Sequence, residues 1–151
     1  VERSCGLGDV YKRELEEMSV DEWEALCDGC SKCCLQKIEE EDTGKLYYTR
    51  VVCRYMDMQT CECTRYEERT ELVPNCLKLT PTNIKEFYWL PLTCAYRMLY
   101  EGKELPWWHY LVSGSRQTVH EAGISVRGKV LSEDYVHPDG LEEHIIDWVD
   151  Y

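Results

Sequence analysis

The side chains best suited to chemistry in this chain are its cysteines, ten in 151 residues. Eight of them fall within one fifty-residue segment, and four of those eight lie in the stretch CDGCSKCC. Thiolates bind soft metal ions, and thiols pair as disulfides. The segment therefore predicts a sulfur-based site. Its cysteines are Cys27, Cys30, Cys33, Cys34, Cys53, Cys61, Cys63 and Cys76.

Disulfides and inert buried thiols are the two explanations that do not involve metal. Dense disulfides mainly stabilise small secreted domains that lack a core, whereas this chain is long enough to bury one and shows no export signal. Buried thiols pack as small hydrophobic groups. That role suits Cys94, in the apolar helix predicted for LPLTCAYRMLY, and Cys5, but not CDGCSKCC, whose intervening residues favour a loop.

Metal binding accounts for the spacing. A C-x-x-C step brings two sulfurs to the same ion, and the step occurs twice in succession, from Cys27 to Cys30 and from Cys30 to Cys33. The adjacent Cys34 points away from Cys33 in most backbone geometries, so it suits a second ion or another corner of a cluster. Eight cysteines would make two four-thiolate zinc sites, and about four would hold an iron–sulfur cluster. The residues alone leave both metals open.

Short local elements are predicted to position these thiols. Ser19 and Glu22 form a capping-box pattern that starts a helix leading to Cys27, with Val20, Trp23 and Leu26 on one side. Gly29 supplies the backbone freedom to end it. A further helix is predicted before it, through Val10, Tyr11, Leu15 and Met18.

The sequence predicts an α+β fold, with short helices around a small sheet in a single domain over residues 1–151. Residues 45–52 form a strand, entered through the turn EDTG, and loops carry Cys61 and Cys76. The cysteine-rich region 27–76 binds the metal, and residues 77–151 are scaffold. In that scaffold the patterns predict helices over 80–89 and 92–101, two short strands or one bent strand around Gly128, and a last helix capped by Asp139.

The cysteine motifs also carry a family resemblance. The chain is similar, over residues 13–148, to the YcgN-like family of bacterial CxxCxxCC cysteine-cluster proteins, in motifs that include EMSVDEWEALCDGCSKCC, TCECTRYEERTELVPNC and FYWLPLTCAYRMLYEGKELPWWHYLVSG. The resemblance implies a zinc- or iron-chelating domain of unassigned function, with the eight cysteines as its ligand set. It also places Cys94 in a family-like segment. A related arrangement in flagellin lysine methylases, where an iron–sulfur cluster is the expected cofactor, favours iron–sulfur over zinc.

The composition of the chain limits the classes of partner that it is expected to bind. Twenty-nine acidic and seventeen basic side chains give a net charge of −12, without a basic stripe, which disfavours nucleic acid. No apolar run approaches the roughly 20 residues of a membrane span, so we expect a cytoplasmic protein that does not bind membranes. A protein partner is compatible with the sequence, which does not identify one.

Two smaller features have competing interpretations. Trp107, Trp108 and His109 suit either a packed aromatic corner, which we favour, or a lid over a pocket. The segment VRGKV suits a hairpin, or a turn that meets an anion.

The leading hypothesis is therefore a metal-binding protein whose fold is organised by thiolates. Redox or transfer chemistry at the metal would make it an enzyme, and closed four-thiolate zinc sites would make it a structural module for protein contacts. The sequence does not decide between these roles.

Overall fold

A computed structural model describes residues 15–151 of the chain, so Cys5 and most of the predicted helix through Val10 lie outside the described residues. The described part forms two compact units. The first unit contains residues 15–30 and Leu79–Ile124, and the second contains Ser31–Lys78 and Ser125–Tyr151. The boundary therefore falls inside CDGCSKCC, directly after Cys30.

The elements are short throughout, and they confirm the α+β prediction. Within residues 15–151, three strands form one mixed sheet, and the α-helices have at most six residues. No helix in residues 15–151 is long and apolar enough to cross a membrane. In chain order the helices and strands are α1 (Val20–Glu24), β1 (Leu35–Glu39), β2 (Leu46–Val52), α2 (Arg69–Leu72), α3 (Ala95–Tyr100), α4 (Tyr110–Ser113), α5 (Thr118–Glu121) and β3 (Leu131–Ser132). The 3-10 turns are Leu15–Glu17, Lys32–Cys34, Tyr66–Glu68, Ile84–Glu86, Glu133–Tyr135 and Pro138–His144.

The sheet belongs to the second unit. β1 pairs antiparallel with β2, with Leu35 opposite Val52, and β2 pairs parallel with β3. The β-branched and aromatic residues of LYYTRVV favour an extended backbone, so the predicted strand over 45–52 is confirmed as β2. One face of the sheet supports the core of this unit, which consists of Leu35, Tyr48, Val52, Met56, Cys61, Val126, Val130 and Val149.

In the first unit, α1 begins as predicted. The amide of Glu22 donates to Ser19 Oγ at 3.1 Å, and the amide of Ser19 donates to the Glu22 carboxylate at 2.9 Å. The helix ends at Glu24, so it completes little more than one turn. Trp23 and Leu26 are buried, but the side chain expected beside them, Val20, is 77% exposed. The predicted apolar face was therefore wrong at Val20.

The helix predicted over 80–89 is replaced by a turn and the 3-10 turn Ile84–Glu86. The Thr80 cap does form, since the amide of Asn83 donates to Thr80 Oγ1 at 3.1 Å. The Asn83 side chain in turn accepts a hydrogen bond from the amide of Thr80 at 2.7 Å. A reciprocal pair of this kind also starts α1, but here the backbone continues in three-residue turns. The amide of Glu86 donates to the Asn83 carbonyl at 2.9 Å, and the amide of Phe87 donates to the Ile84 carbonyl at 3.1 Å. The helix predicted over 92–101 is confirmed in a shorter form, α3.

The C-terminal segment also differs from its prediction. His137, not Asp139, caps the turn Pro138–His144, because the amide of Asp139 donates to His137 Nδ1 at 3.0 Å. The chain then extends, and Ile145 forms an antiparallel bridge to Thr49 of β2. The sheet therefore competes with the predicted helix for these backbone groups. Around Gly128 the described chain forms a turn rather than a hairpin.

Gly29 lies in the turn between Cys27 and Cys30 with φ +79°, in the left-handed region that disfavours residues with a Cβ. A Cβ there would meet no atom within 4 Å, so the cost of Gly29→Ala is backbone strain alone. We expect the substitution to lower the free energy of unfolding by about 1 kcal/mol. Gly140→Ala is the control, because Gly140 is outside the positive-φ set and a Cβ there meets its nearest atom at 3.8 Å. Urea titrations that give equal losses for both variants would contradict the strain argument.

Candidate metal centre

Four of the predicted ligands in the second unit interact electrostatically through Cys76, namely Cys33, Cys53, Cys63 and Cys76 itself. Burial is the main reason that the pKa of the Cys76 thiol is raised; Arg69 lowers it, and the negative charges of Cys33, Cys63 and Cys53 raise it further. Burial likewise raises the pKa of Cys53, and Cys63 and Glu133 add to that rise. Cys33, Cys53 and Cys63 therefore lie within electrostatic reach of Cys76, and Cys63 lies within reach of Cys53. We call these four cysteines the four-thiol set.

A closed loop holds Cys53 and Cys63 at its two ends. Cys53 directly follows β2, and Met56 forms an antiparallel bridge with Cys63. The amide of Thr64 donates to the Tyr55 carbonyl at 2.7 Å, which pairs the neighbouring positions as well. At the tip, the Asp57 carboxylate accepts the amides of residues 59 and 60 at 2.8 and 3.0 Å, and these bonds lower its pKa. The sequence predicted a loop here but did not predict its pairing.

Cys33 and Cys76 arrive from separate segments. Cys33 lies in the 3-10 turn Lys32–Cys34 that leads into β1. Cys76 follows α2, and its amide donates to the Val73 carbonyl at 2.9 Å. Arg69 of α2 lies over the Tyr66 ring at 3.9 Å and donates to the Tyr66 carbonyl at 2.8 Å. This geometry fixes the guanidinium whose charge lowers the pKa of Cys76.

Lys37 is a functional candidate that sequence reasoning missed. Its ammonium donates to the carbonyls of Leu35 at 2.7 Å and Cys33 at 3.2 Å, and it lies 5.0 Å from the Tyr48 ring centroid. Burial lowers the pKa of Lys37, and the charges of Cys33 and Cys34 oppose that shift. A cation in this position stabilises nearby thiolates. A lysine inside a strand that begins right after a cysteine pair was the available signal.

Cys61 has a different environment. It is 2% exposed within the core of the second unit and adopts φ +62°, which is uncommon for a residue with a Cβ. Burial raises the pKa of its thiol, while Arg127 and hydrogen bonds from Ser125 and Arg127 lower it. The hydroxyl of Ser31 donates to the Cys61 carbonyl. The turn around Gly128 thus places Arg127 within electrostatic reach of the Cys61 sulfur.

The other predicted ligands are distributed more widely. Cys34 is partly buried against the core of the second unit, whereas Cys27 and Cys30 belong to the first unit. Cys27 is exposed, and Cys30 is buried with Trp108 and Val119. Cys94 is the partly exposed N-cap residue of α3, so its predicted position inside an apolar helix was wrong.

The chemistry of the four-thiol set fits a thiolate-bound metal. All nine cysteines in residues 15–151 are thiols rather than cystines. Several of these thiols interact electrostatically with a positively charged side chain, namely Lys37, Arg54 or Arg69. Yet within the described residues no group of three or more His, Cys, Asp or Glu side chains is already arranged to hold a metal ion. Binding would therefore require the sulfurs to move closer together.

The aromatic corner predicted for residues 107–109 is confirmed for two of its three members. Trp108 is 7% exposed and His109 is fully buried, whereas Trp107 is 63% exposed. The amide of Leu111 donates to His109 Nδ1 at 3.1 Å, and His109 Nε2 lies 2.8 Å from the Leu26 carbonyl. An amide only donates and a carbonyl only accepts, so His109 is the neutral tautomer protonated on Nε2.

This burial predicts an acid-sensitive fold. Desolvation lowers the pKa of His109; the Leu26 carbonyl and Asp28 oppose the shift, and Arg116 adds to it. Below about pH 6.5 the unfolded chain therefore binds a proton that the folded chain excludes. Above that pH the free energy of unfolding should be unaffected by the protonation of His109. Below it, the free energy of unfolding should decrease as the pH falls, by at most about 1.4 kcal/mol per pH unit.

Urea titrations from pH 5 to pH 8 test this expectation with two matched variants. His109→Asn retains an N-cap acceptor but cannot titrate, so it should remove this part of the pH dependence. His137→Asn is the control, since His137 is also an N-cap but its side chain is 75% exposed. If His109→Asn leaves the slope unchanged, buried His109 is not the titrating group.

Comparisons with known proteins agree with a cysteine-cluster class. Residues 26–95 match the CxxCxxCC family model, described as "Putative zinc- or iron-chelating domain". The chain is 56% identical to a UPF0260 protein of Marinobacter nauticus over 138 residues, which cover 91% of this chain and 93% of that protein. UPF0260 proteins of Cellvibrio japonicus and Pseudomonas putida are 54% and 53% identical, over 91% and 89% of this chain and 93% and 90% of their own lengths. No solved structure matches.

The matched domain defines a class of proteins that its description associates with zinc or iron. Within that class, the chain belongs to the UPF0260 family. The resemblance found in the sequence is confirmed by the same CxxCxxCC domain.

Proposed function

We propose that this protein binds metal through the thiolates of Cys33, Cys53, Cys63 and Cys76, as an iron–sulfur cluster in preference to zinc. One observation carries the proposal, namely that Cys33, Cys53 and Cys63 all lie within electrostatic reach of Cys76. Four reduced sulfurs that repel one another when ionised are stabilised by a cation placed among them. No reaction is assigned to the site.

The donor set explains the choice of metals. Four thiolates satisfy one iron–sulfur cluster, and the same number closes one tetrahedral zinc site. A single four-thiol set therefore supports one cluster without the second group of four that two zinc ions would need. The iron–sulfur preference also follows the resemblance to flagellin lysine methylases. Closed zinc ligation, and with it a structural role, is the alternative.

Protons and charge must balance when metal binds. The raised pKa values of Cys53 and Cys76 keep these thiols protonated near neutral pH, so metal binding releases protons and its affinity rises with pH. Lys37, Arg54 and Arg69 offset the negative charge of a thiolate site. We propose Cys34 and Cys61, in the second unit, for further corners of this site, and Cys27 and Cys30, in the first unit, for a separate site.

Elemental analysis of anaerobically purified, unchelated protein tests this function. Iron with a similar amount of acid-labile sulfide, and broad visible absorption, is the expected result. Zinc in a colourless protein would instead support the closed structural site. If the protein holds neither metal above the level of a variant with all four thiols replaced by serine, the proposal is wrong.

A further inference from the structure

Three consecutive backbone carbonyls follow α1 and accept no hydrogen bond within a helix. α1 ends at Glu24, and the last carbonyls of a helix lack partners within it. Polar backbone groups near a protein interior need hydrogen bonds from elsewhere. The carbonyls of Ala25, Leu26 and Cys27 are all in this situation. They directly precede the turn that leads to Cys30.

Three side chains from one distant segment bind these consecutive carbonyls. The Tyr110 hydroxyl donates to the Ala25 carbonyl, and His109 Nε2 donates to the Leu26 carbonyl at 2.8 Å. Arg116 donates to the Cys27 carbonyl at 3.3 Å. Each of the three side chains therefore donates a hydrogen bond to a different carbonyl, and the three carbonyls belong to consecutive residues. We call His109, Tyr110 and Arg116 the carbonyl clamp.

The three side chains of the carbonyl clamp stack on one another. The rings of His109 and Tyr110 are 5.0 Å apart at an interplanar angle of 22°, and the Arg116 guanidinium lies 3.5 Å from the Tyr110 ring centroid. His109 also caps α4 through the amide of Leu111. Thr118 of α5 donates to the Trp108 carbonyl at 2.7 Å, which ties the following helix to the same segment. These contacts therefore fix the positions of the three donors within their own segment.

We infer that the carbonyl clamp positions the backbone that carries Cys27 and Cys30, so that this C-x-x-C step is ordered before any metal binds. His109, Tyr110 and Arg116 are positioning residues and do not touch the metal. The part of this inference that concerns metal rests on the proposed function. Cys30 is 8% exposed, and its amide donates to Asp28 Oδ1 at 3.0 Å. Its thiol therefore reacts with reagents in solution mainly when this segment opens.

The test measures the rate at which iodoacetamide alkylates Cys30 in metal-free full-length protein, read by mass spectrometry. Tyr110→Phe deletes one donor but keeps the ring that stacks on Arg116. Arg116→Lys keeps the charge but loses the planar group. Loss of one hydrogen bond should raise the Cys30 rate about three- to tenfold. Tyr100→Phe is the matched control, because Tyr100 is 51% exposed on α3, and it should change nothing.

Cys94 is the internal reference, since it lies in the same unit and outside residues 25–30. If the variants accelerate Cys30 and Cys94 equally, they loosen the whole unit and the positioning role is wrong. If they leave the Cys30 rate unchanged, the inference is overturned directly.

A second measurement separates the carbonyl clamp from the metal proposal. Co²⁺ titrations, followed by thiolate-to-metal charge-transfer absorption, should show a three- to tenfold weaker affinity at the site proposed for Cys27 and Cys30 in both clamp variants, and unchanged affinity at the four-thiol set. Wild-type protein that binds no Co²⁺ would count against the proposed function while leaving the alkylation result intact. Accelerated alkylation with unchanged Co²⁺ affinity would show that the carbonyl clamp has no role toward metal.

Discussion

Replacement of Cys76 by serine is expected to remove most of the bound metal. The charges of the other three members of the four-thiol set all act on Cys76, so its loss should disrupt the whole set. Loss of an outer hydrogen-bond partner already costs metal sites about 10- to 100-fold in affinity, so loss of a direct thiolate should cost at least about 100-fold. Competition with a chromophoric chelator measures the change.

The matched control is Cys94→Ser. It makes the same chemical change in the first unit, at the N-cap of α3, where serine is a favourable residue. Metal content and affinity should stay at the wild-type level. If Cys76→Ser retains full affinity, or if Cys94→Ser loses as much as Cys76→Ser, the four-thiol set is not the ligand set.

Removal of the metal is expected to destabilise the protein strongly. A ligand that binds only the folded state contributes about 4 kcal/mol when its concentration is 1,000 times Kd. For a chain of this length that corresponds to a fall in Tm on the order of 10 °C. Thermal unfolding with and without a strong chelator measures the shift.

Hydrogen exchange locates this effect. Amides of β2 belong to the unit that holds the four-thiol set, so their protection should decrease when the metal is removed. Cys76→Ser should not respond to the chelator at all. An unchanged Tm in protein that initially contained metal would contradict a structural role for the site.

Local sequence signals predicted the elements whose determinants are close together in the chain. The capping box of Ser19 and Glu22 and the β-branched strand β2 are confirmed because their residues are neighbours. The helix over 80–89 failed although its cap forms, because the backbone beyond Asn83 makes i+3 bonds and leaves the helical region at Phe87, which a periodicity argument does not register. The final helix failed because Ile145 instead pairs with Thr49, a residue far away in the sequence.

The candidate site, like the fold, was predicted only where its determinants lie close together in the chain. Repeated C-x-x-C spacing indicated metal, and the structure then distinguished the four-thiol set from Cys61, whose sulfur meets Ser125 and Arg127. Spacing could not reveal this difference, because these partners come from a distant segment. The carbonyl clamp was equally hidden, since its donors and acceptors are separated by 83 to 89 residues.

X-ray absorption at the metal edge of the protein as isolated tests the central claim most directly. Four thiolate ligands predict a first shell dominated by about four sulfur atoms near 2.3 Å from each metal. That shell should lose sulfur in Cys76→Ser and remain intact in Cys94→Ser. A first shell made only of oxygen and nitrogen would contradict the account.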